Sequence, residues 1–373
     1  MKHIIYSLLA AMLLVVFSCF QESPESLPGD TGGAAFNTGF ETHQIRFLPE
    51  EERVTVNIAG DVLLARGPGE QLREQGISFA FELVLPELLD ADISFCNLES
   101  PVAFQGVQGR EKPEYITMRA APGTLLALVE SGFDVVSLAN NHMTDYGPAA
   151  LLETRENLDV LGITHTGAGS SLETACAPAL LTRENISFAF LAFAEEIWAV
   201  RAADTDTPGI APYNAELIEN QIRSVITEYN PDYLFVSLHW GYEFDYFPAE
   251  YQMRDARQFI DAGADVIIGH HPHVLQGIEL YNNGIIFYSL GNFLFDMDDW
   301  PQTRDSAMFR LTVAPRRLET LEVIPISVIP GEFRPSIAEG EALSRIRTAL
   351  IERSQQFGTE IMETEEGIFI PLH

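Results

Sequence analysis

The sequence predicts a layered α/β fold with buried strands. Two observations carry this reading. Apolar runs of strand length alternate with helix-spaced segments along most of the chain, and five of those runs end in a cluster of polar residues. Size and balance set the frame: 373 residues, 46% hydrophobic and 20% charged, is an ordinary globular composition with room for one large domain or two small ones. Such a body can bury enough apolar surface to fold without a metal or disulfide staple.

In chain order, residues 54–59 alternate as a strand that stops at Gly60-Asp61, and 79–89 have helical spacing. A strand follows at 93–96, a helix at 123–130, a strand at 134–138 and a helix rich in Leu, Ala and Glu at 147–161. Residues 187–194 form the most apolar strand, and 214–229 an amphipathic helix capped by Asn214. Next come a strand at 233–238, a helix at 251–262, and strands at 266–268 and 285–290. From Ala314 onward the pattern is less regular, with a strand pair near 321–328 and a helix near 342–356. There is no internal repeat.

The amino-terminal end reads differently. Lys2 and His3 precede an apolar run over 4–17, too short to span a bilayer, that ends at Val16-Phe17-Ser18-Cys19. A small residue before Cys19 is the pattern of a bacterial lipoprotein leader, with Cys19 lipidated after cleavage; plain secretion and an uncleaved anchor are the alternatives. The expected organisation is a signal peptide over 1–19, a flexible Pro- and Gly-containing tether over 20–52, a main domain over 53–300, and an extension over 301–373 that completes the same domain. The protein is therefore expected at the cell envelope, anchored to a membrane through its lipid. Cys96, in an apolar strand, reads as a small buried hydrophobe.

Charge excludes whole classes of partner. With 22 Lys+Arg against 54 Asp+Glu, the formal net charge is −32, which repels nucleic-acid phosphates and anionic lipid surfaces alike. Nucleic acid is excluded as a partner, and membrane attachment has to be hydrophobic.

The chemistry lies where the strands end. The five clusters are Gly60-Asp61, Asn97-Leu98-Glu99, Asn140-Asn141-His142, His239-Trp240-Gly241 and Gly269-His270-His271-Pro272-His273. Five of the nine histidines sit there. Carboxyl ends of strands form the ligand crevice of open α/β sheets, so these groups should converge on one edge. Carboxylate, imidazole and amide oxygen together suit Mn, Fe or Zn, and the lack of a cysteine argues against a thiolate zinc site. Pro272 disfavours a helix, and in an extended segment His271 and His273 would point the same way, toward one ion or two. Two ions sharing a carboxylate can clamp a phosphoester and acidify a bridging water.

Each residue alone has a plainer reading. Asp61 can cap a helix, Glu99 can be a solvated turn residue, Asn140-Asn141 can be a turn, and His239 can be a satisfied core histidine. Arg66 can face an anionic substrate or form a surface ion pair. Glu243 and Asp245 can serve substrate or be loop acids, and Asn292 can reach the crevice or merely turn the chain. No phosphate-binding glycine loop and no nucleophile elbow is present.

The blocks Gly60-Asp61-Val62-Leu63-Leu64-Ala65-Arg66, Asn97-Leu98-Glu99-Ser100-Pro101, Ala139-Asn140-Asn141-His142 with Asp145-Tyr146-Gly147, His239-Trp240-Gly241 with Glu243, Gly269-His270-His271-Pro272-His273 and Ser289-Leu290-Gly291-Asn292-Phe293 resemble the CapA family of poly-gamma-glutamate capsule synthesis proteins. Order and spacing agree over roughly 54–296. That family in turn resembles the calcineurin-like metallophosphatases, which implies a four-layer α/β/β/α sandwich and a dinuclear site. The likeness implies Asp61, Glu99, Asn141, His239, His271 and His273 as metal ligands and His142 as general acid; Arg66, close after Asp61 in the chain, is the second catalytic candidate, facing an anionic substrate. Asn97, Asn140, Glu243, His270 and Asn292 would serve substrate or support the ligands. Two departures stand out: Leu63 occupies the place of a histidine in the first motif, and Asn97 with Glu99 replace an aspartate in the second. One metal position is therefore expected to be weaker, differently built or empty.

Two functions of different class follow. One is a metal-dependent, phosphoesterase-like hydrolase acting on an anionic envelope polymer or its precursor. The other is a non-catalytic component that assembles, tethers or exports such a polymer, in company with other capsule-synthesis membrane proteins. Hydrolysis of a peptide bond in a glutamyl polymer is a third, weaker reading.

Overall fold

The computed structural model describes residues 52–107, 112–197 and 200–372; the expected leader with Cys19, and the tether up to residue 51, lie outside them. Two sheets carry the body. The first runs, in spatial order, Met362–Thr364, Gly367–Ile370, Arg317–Val328, Asp305–Ala314, Val54–Val62, Ile93–Leu98, Val135–Ser137 and Thr164–Thr166. The second runs Ile278–Tyr281, Gly284–Phe287, Val266–His270, Tyr233–His239, Ile186–Ala194 and Ala179–Arg183. In the first, Val54–Val62 divides a parallel half from an antiparallel half: it pairs parallel with Ile93–Leu98 and antiparallel with Asp305–Ala314.

Side-chain alternation makes the layers. In Ile186–Ala194, Phe188 and Phe190 face the space between the sheets, where they meet Phe235, Ile268 and Phe287 of their own sheet and Val56, Ile58, Phe95 and Phe309 of the other. The intervening Ala189, Leu191 and Phe193 pack outward on Ile218 and Ile222 of the helix Ala215–Tyr229 and Phe259 of the helix Glu250–Ala262. On the far face of the first sheet, Cys96 and Val136 pack with Leu72, Leu88, Leu128, Leu151 and Leu158 of four helices. The three cores separate four layers, α/β/β/α. Strands buried on both faces read as nearly unbroken apolar runs, which is why 187–194 and 233–238 stand out in the sequence.

The helix expected over 79–89 is broken into a 3-10 turn, Ile77–Ala80, and a short helix, Leu85–Leu89, that restarts at Pro86. The segment at 123–130 likewise splits into Pro122–Leu125 and Leu126–Glu130. The helix Arg66–Gln75 and the strand Asp305–Ala314 were not expected. Beyond residue 301 the chain adds strands to the first sheet and a helix, Gly340–Ser354, whose Ile346 and Leu350 enter the inter-sheet core. Cys96 and Cys176 are buried and free. No helix among the described residues is long and apolar enough to cross a membrane.

Phe235 is fully buried between the sheets, whereas Val160 is 85% exposed. Phe235→Ala should therefore cost about 3–5 kcal/mol of unfolding free energy, and Val160→Ala no more than about 0.5 kcal/mol. Urea denaturation followed by circular dichroism measures both; equal effects would contradict the core assignment.

Candidate metal centre

The polar strand ends converge, but from two sheets rather than one edge. Asp61, Asn97 with Glu99, and Asn140 to His142 follow strands of the first sheet; His239 and His270 to His273 follow strands of the second. The chain crosses from Gly284–Phe287 in the second sheet to Asn292–Leu294 beside the first, and lies against a glycine of each. A Cβ on Gly60 would come within 2.0 Å of the Gly291 carbonyl oxygen, and one on Gly269 within 1.9 Å of the Tyr288 carbonyl oxygen. The Asp61 N–H donates to the Gly291 carbonyl at 3.0 Å, and the Leu290 N–H to the Gly269 carbonyl at 3.2 Å. The crossing thereby ties both strand ends together.

Asp61 and Glu99 are fully buried at this junction. The Asn97 amide donates to Asp61 Oδ1 at 2.9 Å and to Glu99 Oε2 at 3.3 Å, and its own oxygen accepts from Asn140 at 3.2 Å. Asn97 is thus a clamp between the two carboxylates. Asp61 Oδ1 also faces His270 Nδ1 at 2.8 Å, and Oδ2 accepts from the His271 backbone N–H at 3.3 Å. Burial pushes the Asp61 carboxyl up, but His270, His273 and Asn97 outweigh it and hold it below the usual carboxylate range. Glu99 has no such company. Burial, and then the charge of Asp61, push its carboxyl well above the usual range.

The histidines surround this pair. His273 Nδ1 faces Asn292 Oδ1 at 2.8 Å, which makes Nδ1 the protonated nitrogen and turns Nε2 toward Glu99 Oε1, 3.8 Å away. His239 Nε2 lies 3.9 Å from the same oxygen. The His239 and His271 rings are 4.8 Å apart, and those of His271 and His273 6.0 Å. One expectation is corrected here. The His271-Pro272-His273 segment is not extended: His271 and His273 have φ of 96° and 57°. Left-handed backbone at two bulky residues is strained, and the surrounding contacts hold it. The rings converge because the chain coils around the site, not through strand alternation.

On the first sheet's side, the Asn140 amide is spent on Asn97 Oδ1 and the Leu98 carbonyl, while its oxygen accepts from the His142 backbone N–H. It braces the loop and leaves no amide group for substrate. His142 Nδ1 faces Asp145 Oδ2 at 2.8 Å. Burial first, with Lys112 and His273 adding to it, pushes His142 down to about 4 despite Asp145. Arg66, at the start of the helix Arg66–Gln75, is held by Asp296 through both Nε, at 3.1 Å, and Nη2; its charge still favours an ionised Glu99. Glu243 reaches the cluster itself: its carboxylate and nitrogens of His271 and His273 lie within 4.8 Å of one another, as do atoms of Asp61, Glu99 and His273. Lys112, unremarked in the sequence, is buried beside Asp145. A single lysine in a Glu- and Pro-containing loop has no periodicity to betray it.

The donor set fits a cation. Glu99 Oε1, Asn141 Oδ1, His239 Nε2, His270 Nε2 and His271 Nδ1 are buried and have no hydrogen-bond partner. Buried polar atoms are almost always bonded, and Glu99 Oε1, His239 Nε2 and His271 Nδ1 lie in one cluster, which marks a place where something else can bind. A cavity of about 650 Å³ opens among Tyr233, Asp265, Gly284 and Arg316 at the opposite strand ends and shares no residue with this cluster.

These environments make stability pH-dependent. His142 and His271 are pushed down to about 4 and about 3, and His239 well below its usual value, mainly by burial. An unfolded histidine titrates near 6.5, so between that pH and the folded values the unfolded chain binds more protons. For protein stripped by a chelator, this stability is full above about 6.5 and is lost as pH falls through about 4. Glu99 acts in the opposite sense, but three histidines outweigh it. Unfolding free energy should fall between pH 7 and 5 by on the order of 2 kcal/mol per histidine, and His142→Gln should flatten the slope. A pH-independent urea midpoint would refute the burial of these rings.

Comparison with known proteins points to the same family as the sequence blocks. The model of the bacterial capsule synthesis protein family PGA_cap matches residues 55–297. The chain is 34% identical to the capsule biosynthesis protein CapA of Bacillus anthracis, over 77% of this chain and 70% of that one. It is 33% identical to the PGA biosynthesis protein CapA of Bacillus subtilis, over 79% and 76%. Among solved structures, it is similar to a 5'-nucleotidase precursor from Thermus thermophilus, at 13% identity and a TM-score of 0.48, covering 82% of this chain and 59% of that one. The chain belongs to the bacterial capsule synthesis protein family PGA_cap.

Proposed function

We propose that this protein is a metal-dependent, phosphoesterase-like hydrolase that works on an anionic capsule polymer, or its precursor, at the cell envelope. The observation that carries the reading is that buried polar atoms without a hydrogen-bond partner, Glu99 Oε1, His239 Nε2 and His271 Nδ1, meet beside Asp61 and His273. Carboxylate, imidazole and amide oxygen without thiolate suit divalent Mn, Fe or Zn. Asp61, Glu99 and His273 Nε2 would hold one ion and Glu243 with His271 a second, with Asn141 and His239 as further donors. Bound there, such ions supply Lewis acidity and hydroxide near neutral pH.

The chain's own residues do the rest. His142, with Nδ1–H engaged on Asp145, would have to take up a second proton on Nε2 and pass that proton to the leaving oxygen. Asn292 orients His273, and Asn97 holds the two carboxylates in register. A surface of net charge −32 repels a polyanion, so local cations, including Arg66, have to admit it. In this reading the leader over 1–19 is cleaved, Cys19 carries lipid, and the tether over 20–52 holds the body near other capsule-synthesis membrane proteins. A second reading, a non-catalytic assembly, tethering or export component, draws on Leu63. It is fully buried in the apolar core where a metallophosphatase's first motif carries histidine, so that ligand position is lost.

Metal content by mass spectrometry, on full-length protein beside Asp61→Ala and His271→Ala, tests the proposal. We expect about two ions per chain, lost in both folded variants, with hydrolysis of bis-p-nitrophenyl phosphate falling at least about 100-fold. No bound ion after reconstitution with Mn, Fe and Zn would overturn the hydrolase and leave the assembly role.

A further inference from the structure

The protein has 20 arginines and two lysines, Lys2 and Lys112, so Lys112 is the lone lysine among the described residues. It is also buried, at 8% exposure, in a chain whose other cations are mostly at the surface. Burying an ammonium costs several kcal/mol unless it is paired and hydrogen-bonded. Lys112 is both: Nζ donates to Asp145 Oδ1 at 2.6 Å and to the backbone carbonyl of Asn141. The other oxygen of Asp145 accepts from the Met118 N–H at 2.8 Å and faces His142 Nδ1 at 2.8 Å.

The choice of lysine has a geometric reason. Elsewhere arginine pairs the carboxylates, as at Asp296 and Glu279. A guanidinium is a planar fork that grips both oxygens of a carboxylate, as Arg66 grips Asp296. At Asp145 such a fork would compete with His142 for Oδ2. An ammonium is a point charge that takes one oxygen and leaves the other free. Its bond to the Asn141 carbonyl fixes the main chain immediately before His142.

We propose that Lys112 is a positioning residue. It holds Asp145 and the Asn141 backbone so that the His142 Nδ1–H stays on Asp145 and Nε2 is the nitrogen left to take up and hand on the proton of the reaction. The catalytic part of this inference rests on the hydrolase reading; the tautomer part does not.

The experiment compares full-length wild type with Lys112→Met and Lys112→Arg, each checked for folding. Nitrogen-15 NMR of the histidine rings in chelator-treated protein should show His142 as one tautomer, protonated at Nδ1, in the wild type and as a mixture in both variants. With bis-p-nitrophenyl phosphate and metal, kcat should fall about 10- to 100-fold while KM stays within about twofold, and arginine should not rescue it. An unchanged tautomer in folded Lys112→Met overturns the proposal, and full rescue by arginine overturns the point-charge argument. A wild type without hydrolysis refutes the hydrolase reading, and the tautomer measurement still decides the role of Lys112. If Lys112→Met does not fold, the ammonium of the unsubstituted protein decides. Slow exchange of its protons is expected, and exchange as fast as that of a hydrated lysine overturns the proposal.

Discussion

The shared end of the two sheets depends on keeping two carboxylates, Asp61 and Glu99, side by side without water. The two are not equally content. Asp61 collects His270, His273 and Asn97, enough to favour its charge in spite of burial. Glu99 keeps one weak amide contact and an oxygen with no partner, and its proton is correspondingly hard to remove. The charge is settled at one oxygen pair and unsettled at the next. Each unpartnered buried atom costs about 1–3 kcal/mol, so the cluster stores instability that a positive guest would relieve.

The rest of the molecule holds that arrangement in place. Two sheets packed face to face would not by themselves bring five loops together. The crossing between Phe287 and Asn292 does so, because it runs close enough to Gly60 and Gly269 that no side chain fits at either. From that same crossing comes Asn292, which orients His273. Structural closure and ring orientation thus share one segment, and the strain at His271 and His273 is borne by a well-packed neighbourhood.

Much of this was legible in the sequence, for identifiable reasons. Strands such as 187–194 announce themselves because both faces are buried, and the five polar clusters are conspicuous against those runs. The helix Arg66–Gln75 was illegible because Gly67, Pro68 and Gly69 occupy its first turn and its mean hydropathy is low. The strand Asp305–Ala314 was obscured by Arg310, whose guanidinium reaches Asn57 and Glu87. The convergence of His271 and His273 was anticipated, but not its cause, since positive φ at histidine has no sequence signature. Glu243 was placed among residues serving substrate or support, and its approach to the two histidines depends on a loop path that spacing alone does not encode.

The pairing of Val54–Val62 with Asp305–Ala314 has a consequence for how the chain is made. Val54 lies opposite Val313, so the first strand of the body is completed by a partner more than two-thirds of the chain away. As the polypeptide emerges amino-terminus first, Asp61 and its strand are available early, yet one hydrogen-bonding edge of that strand stays open until the last quarter has been synthesised. The parallel half can begin to gather around Ile93–Leu98; the sheet cannot close. The strand that carries Asp61 therefore acquires its final register near the end of folding, and a chain truncated before residue 305 would carry every acid and imidazole of the cluster on a sheet with an unprotected edge.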